Sequence, residues 1–212
     1  YNPGVGVLAI EDFFINDFSL WYIRRSRERF HSHNSDRGEA VKTFYFVLLG
    51  LVKLIAPVMP FFAEEMYQII KTEKMEESVH LLSWPEINKK QIDQKLEEKM
   101  RLVRSLVNQV LAERIVLGIK VRQPLAEIKI KNSDLKKDKD LLELIKNETN
   151  VRVISFDVKI EKEILLDTKL TKELEQEGVN RDFSRYVMDG RKTLGLKKED
   201  KNIAIITTSS DI

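Results

Sequence analysis

The stretch "FYFVLLGLVKLIA", Phe44 to Ala56, decides how this chain folds. It is apolar nearly all round, interrupted only by Lys53 and the small Gly50. A membrane span needs roughly 20 such residues, so this run is too short to cross a bilayer and reads as a buried helix. A helix with no polar face belongs in the middle of a bundle. Its boundaries are legible. "HSHNSDRG", 31 to 38, is polar and turn-rich ahead of it. "APVMP", 56 to 60, stops it, because proline lacks the amide donor and clashes with the preceding turn.

Working outward, the spacing predicts a helix over 5–31. Val7, Ile10, Phe14, Phe18 and Trp21 recur every three or four residues and form one inward stripe. Further helices are expected over 39–56, 61–71 and 89–117, the last with Ile92, Leu96, Met100, Val103, Val107 and Val110 on one face. Phe14, Phe18, Trp21, Leu48, Leu51 and Val103 are the expected core residues of this part. At Gly118 the pattern changes. "IKVRQPLAEIKIK" alternates apolar and polar residues with the period of a strand. Strands are expected near 127–131, at 151–156 and at 163–167, with helices over 141–147 and 171–196. "NIAIITT", 202–208, reads as a closing strand. The fold class is therefore mostly α: a helical bundle over 1–118, then a small mixed α/β module over 119–212.

Composition bounds the function. Hydrophobic residues make up 42% and charged residues 33% of the 212, enough for a core in a soluble, helix-rich chain. There is no cysteine, which excludes disulfides and thiolate metal sites. No Gly-rich phosphate loop, nucleophile elbow or helical His-x-x-x-His pair is present. His31 and His33 read as solvated turn residues rather than metal ligands. The abrupt start, without a signal segment, is that of an excised fragment.

The net charge is only +2, so the local distribution of charge has to be read instead. "WYIRRSRERF", 21 to 30, carries Arg24, Arg25, Arg27 and Arg29. With Arg37 and against Glu28 and Asp36, residues 24–37 carry a local excess of +3. At about 100° per residue, Arg25 falls near the apolar stripe, Arg29 lies a turn beyond it, and Arg24 and Arg27 share another flank. One reading has Arg25 partly buried and paired with a carboxylate, with the other arginines as helix-end charges. The other makes them a phosphate- and base-reading surface beside the aromatic platforms Trp21 and Tyr22. Guanidinium suits that work because it is planar, forks onto phosphate and stacks on bases. Lys120, Arg122 and Gln123 form a second basic element, with both charges on one face if the segment is extended.

These residues resemble a known family. "SLWYIRRSRERF" is similar to the signature helix in the anticodon-binding domain of isoleucyl-tRNA synthetases. "LVKLIAPVMPFFAEEMYQ" (51–68) resembles the next family block, with Pro57, Pro60, Ala63, Glu64, Glu65 and Tyr67 in order. "ESVHLLSWPE" (77–86), "KVRQPL" (120–125) and "EQEGVNRDFSR" (175–185, with Glu177, Gly178 and Arg181) resemble three more. The resemblance implies that Trp21, Tyr22, Arg24, Arg25, Arg27, Arg29, Lys120, Arg122 and Gln123 contact a tRNA anticodon stem-loop. It implies a longer parent that attaches isoleucine to its tRNA using ATP and Mg2+, with catalytic and editing domains elsewhere in that chain. The His-x-Gly-His and Lys-Met-Ser-Lys-Ser signatures of such catalysts are missing. The fragment itself is thus expected to need no cofactor and to be catalytically silent. A monomer, in the cytoplasm and away from membranes, is the matching expectation. Two alternatives stay open: the same domain of a valyl, leucyl or methionyl relative, and a helical protein-interaction scaffold with no nucleic-acid role.

Overall fold

The computed structural model describes residues 2–31, 36–132, 134–196 and 200. The proposed closing strand at 202–208 lies outside them. The described chain divides into two compact units, residues 1–89 and 90–212. Helices precede residue 118 and the first strand follows it, as the change in sequence character implies. By packing, however, the helix expected over 89–117 belongs with the second unit.

The first unit is helical. Helix α1 (Pro3–Asp12) has proline in its first turn, where the missing amide costs nothing. It runs directly into a π-wound segment, Phe13–Ile23. There the N–H of Arg24 reaches back five residues to Ser19 O. A short α2 (Arg27–His31) follows. Helix α3 (Asp36–Ile55) contains the apolar run up to Ile55. Helix α4 (Pro60–Ile70) starts on the second proline of "APVMP". Val52, Ala56, Ala63, Tyr67 and Val79 form the buried cluster where α3, α4 and the turn at Val79–Leu81 meet. Among the described residues no helix is long and apolar enough to cross a membrane.

The π winding changes which residues face inward. Phe18 is buried at 2% exposure, but Phe14 is 46% exposed and Trp21 only half-buried. The inward stripe runs Phe18, Tyr22, Ser26, Phe30. Phe18 stacks on Tyr22 at 5.9 Å and on Phe44 of α3 at 5.5 Å, and Phe30 meets Phe44 edge-on at 5.7 Å. Ser26 is 3% exposed. Leu51 and Val103 are buried as expected, and Leu48 is half-buried.

The second unit is built on α5 (Gln94–Val116), whose N-cap Asp93 accepts from Leu96 N–H at 3.0 Å. A three-stranded sheet follows in the order β2-β1-β3. Strand β1 (Leu125–Ile130) lies at its centre, with Leu125, Ile128 and Ile130 fully buried. It pairs in parallel with β2 (Val151–Phe156) through the crossover helix α6 (Lys139–Thr149). It pairs antiparallel with β3 (Ile164–Leu166). Helix α5 packs on α6 and β3. Asn150 ends α6 in the left-handed conformation, φ 52°, which asparagine tolerates better than most residues. The last described helix is α7 (Lys172–Thr193), capped by Thr171.

Candidate nucleic-acid interface

The arginine run straddles the end of the π segment and the start of α2, around inward-facing Ser26. The Ser26 N–H donates to Tyr22 O and its carbonyl accepts from Phe30 N–H, both at 2.9 Å. This pins the backbone so that Arg24 and Arg27 lie exposed while Arg25 and Arg29 are half-buried. Arg24 Nε donates to Leu20 O at 2.7 Å. Arg29 forks onto Asp36, with Nε to Oδ2 at 2.7 Å and Nη2 to Oδ1 at 2.8 Å. That contact holds the Asp36 carboxyl below, and the Arg29 guanidinium above, their ordinary values. Arg27 and Arg37 are exposed and make no hydrogen bond or ion pair to a described residue. Tyr22 turns inward. Its hydroxyl donates to Ala40 O at 2.8 Å and its ring stacks on Phe18. Trp21 is half-buried.

In the second unit, Lys120, Arg122 and Gln123 sit in a turn rather than on a strand, which begins only at Leu125. The cause lies behind the turn. Arg114, at 0% exposure, donates from Nη1 to Lys120 O at 3.1 Å and Gln123 O at 3.0 Å, and from Nη2 to Asn150 O at 3.2 Å. Burial pushes its guanidinium down to about 10, which leaves it charged at neutral pH. Pro124 has no N–H to extend the ladder backwards. The turn still points both cations the same way. Lys120 Nζ and Arg122 Nε reach the two oxygens of Asp182 on α7, at 2.9 and 2.6 Å. Those contacts hold the Asp182 carboxyl below its ordinary value.

Gln123 looks inward instead. Its Nε2 donates to Leu174 O at 2.7 Å, and its amide sits against Gly178, where a Cβ would come within 2.1 Å of Oε1. Asn150 Nδ2 donates to Val121 O and Arg122 O, while its Oδ1 accepts from Arg181 at 2.8 Å. Glu177 binds both Arg181 and Arg152. The "KVRQPL" and "EQEGVNRDFSR" blocks are thus two halves of one joint. The blocks at 51–68 and 77–86 make another. Glu64 accepts from Ser78 Oγ at 2.8 Å and Val79 N–H at 3.0 Å, and Tyr67 Oη donates to Glu76 O at 2.9 Å. Sequence reasoning missed Arg114, Asn150 and Asp182. Their role depends on partners up to 62 residues away, for which local spacing holds no signal.

Each unit therefore presents cations held by a defined backbone, and among the described residues no group of acidic or histidine side chains could hold a metal. The class is a helical, cation-bearing recognition module followed by a small α/β unit. The family described as the anticodon-binding domain of tRNA ligase matches residues 2–130, and the chain belongs to it. It is 38% identical to the isoleucine–tRNA ligase of Clostridium acetobutylicum over 174 residues, covering 80% of this chain and 16% of that protein. The isoleucine–tRNA ligase of Methanocaldococcus jannaschii is 39% identical over 152 residues, 70% of this chain and 14% of its own length. That of Cytophaga hutchinsonii is 37% identical over 165 residues, 74% of this chain and 15% of its own length. The chain thus spans only about a seventh of the length of the relatives it matches.

Proposed function

We propose that this chain recognises the anticodon stem-loop of an isoleucine tRNA as one region of a longer isoleucine–tRNA ligase. The observation that carries the reading is the 37–39% identity to isoleucine–tRNA ligases over 70–80% of the chain. The exposed arginines of the first unit and the Lys120–Gln123 turn of the second support it. Arg24 and Arg27 are the outermost candidates on the arm. Arg25, Arg29 and Trp21 are half-buried, and Tyr22 supports the arm from within. Phosphate contacts set register and supply most of the affinity, while unstacked loop bases carry the sequence.

The parent would use ATP, Mg2+ and isoleucine in domains outside this chain, as a cytoplasmic monomer. Without those domains the 212-residue chain performs recognition alone and gives no isoleucine-dependent pyrophosphate exchange. An apolar groove of about 570 Å3 in the first unit, lined by Ile10, Phe13, Phe46, Leu49 and Leu54, is where we place the packing of another parent domain. An exposed groove of this kind is also what a protein-interaction scaffold would have. Titration against the isoleucine anticodon stem-loop, a stem-loop from another tRNA and a bare duplex separates the readings. Preference for the isoleucine stem-loop is expected. Preference for the other stem-loop argues for a sister specificity, equal binding to all three for a general polyanion site, and no binding for the scaffold.

A further inference from the structure

The second unit has an open groove of about 580 Å3 that the tRNA reading of the arginine arm does not use. Val179, Phe183 and Tyr186 stand along one face of α7, spaced four and three residues apart, and are 62%, 53% and 68% exposed. The same helix buries Leu174 and Gly178. Scattered exposed apolar residues need no explanation, but two rings and a valine lining one groove are a contiguous surface. Lys120, Arg122 and Arg185 line it too. Asp182 holds the first two in place, and Arg185 makes only a long contact to Asp189, 3.4 Å between exposed side chains. Three cations face two carboxylates, so the groove is net positive.

Flat rings flanked by guanidinium and ammonium groups are what a single-stranded nucleotide needs. Its base stacks on an aromatic face whatever its sequence, and its phosphate meets the cations. The volume falls within the ~300–1,000 Å3 of small-ligand sites. Helix α7 lies beyond the matched residues 2–130, whereas Lys120 and Arg122 lie inside them, so the groove continues the turn that the proposed function above offers to RNA. We propose that Phe183 and Tyr186 are a stacking platform for an unpaired nucleotide of the bound RNA, with Lys120, Arg122 and Arg185 receiving its phosphates. This rests on the tRNA reading above.

The test uses the full chain and an isoleucine anticodon stem-loop carrying a fluorescent adenine analogue in its loop. Tyr186→Leu and Phe183→Leu keep apolar bulk but remove a ring, and Tyr186→Phe keeps the ring. Each leucine variant should weaken binding about tenfold, the loss of one base–aromatic stack, and relieve the quenching of the analogue. Tyr186→Phe should match the unmodified chain. If both leucine variants bind normally while Arg27→Glu does not, the platform is wrong and the tRNA reading stands. If the unmodified chain binds no stem-loop, both are wrong. If Tyr186→Leu leaves RNA affinity intact but abolishes self-association seen by light scattering, the groove is a protein contact and the platform is overturned. Circular dichroism of each variant confirms that these exposed positions leave the fold intact.

Discussion

Arg114 takes a charge into the second unit, and among the described residues no carboxylate meets it and its Nε has no hydrogen-bond partner. Three backbone carbonyls compensate the rest of the guanidinium. Removing the side chain leaves those acceptors unmet, at roughly 1–3 kcal/mol for each that stays buried. Relief of the buried charge offsets part of that. Arg114→Met should therefore lower the unfolding free energy by about 2 kcal/mol or more in urea titrations. Arg114→Lys should recover little, because a single ammonium cannot span carbonyls that a planar fork reaches together. Glu64 makes a different prediction. Hydrogen bonds from Gln68, Ser78 and Val79 hold its carboxyl below the ordinary 4.5. Its folded form thus binds fewer protons than its unfolded form in that acid range, and stability rises with pH there. The contribution is fully present above 4.5 and is lost as pH falls through the depressed folded value. Glu64→Gln should lower Tm at neutral pH and flatten the acid limb of a Tm-against-pH profile. An acid limb as steep as that of the unmodified chain would assign the acid sensitivity to other carboxylates.

Elements were legible where local chemistry sets them and illegible where winding does. Pro60 and Thr171 mark helix starts, Gly118 marks the end of α5, and alternation marks β1, so these were readable, whereas the start of α5 was expected at 89 and lies at Gln94, behind its cap Asp93. The π segment was not. Assigning faces at about 100° per residue assumes bonds to the fourth residue back. Eleven residues wound on bonds to the fifth rotate less at each step, and the difference accumulates. By the arginine run, the stripe expected through Phe14, Phe18 and Trp21, with Arg25 near it, had become one through Phe18, Tyr22 and Phe30. Arg25 is half-buried, and the fully buried arginine is Arg114, on an element whose partners only the fold supplies. Lys120 and Arg122 were recognisable as a basic pair, but their turn, their shared Asp182 and the inward direction of Gln123 were not. The Gln123–Gly178 contact can be tested by a cycle. Gly178→Ala drives Gln123 off Leu174 O, an overpacking cost of roughly 1–3 kcal/mol. Gained helix propensity returns only about 1 kcal/mol. In a Gln123→Ala background that clash is gone, and Gly178→Ala should become stabilising by up to about 1 kcal/mol. A change of sign between the two backgrounds in urea unfolding is the expected result. Equal destabilisation in both would show that Gly178 serves something other than Gln123.

At the scale of the whole molecule, 36 basic residues against 34 acidic ones leave almost no net field to draw RNA in. Affinity must come from a few local cations, and the dependence on salt counts them. Each phosphate neutralised releases condensed counterions, contributing about −0.7 to the slope of log affinity against log salt on single strands. If the arginine arm and the Lys120–Arg122 turn together engage about four phosphates, the slope for the isoleucine stem-loop should be near −3. Arg27→Ala should weaken binding at low salt and make the slope shallower by about 0.7, since Arg27 has no partner within the described protein to which its charge is committed. Arg29→Ala should change the slope less, because Arg29 already forks onto Asp36. Lys136→Ala, at an exposed turn residue with no described partner, is the control for nonspecific charge loss. A slope that shifts equally for Arg27→Ala and Lys136→Ala would mean that the RNA senses only net charge, and the arm would then be ordinary surface. A shift confined to Arg27 would place a phosphate at the outer face of the arm.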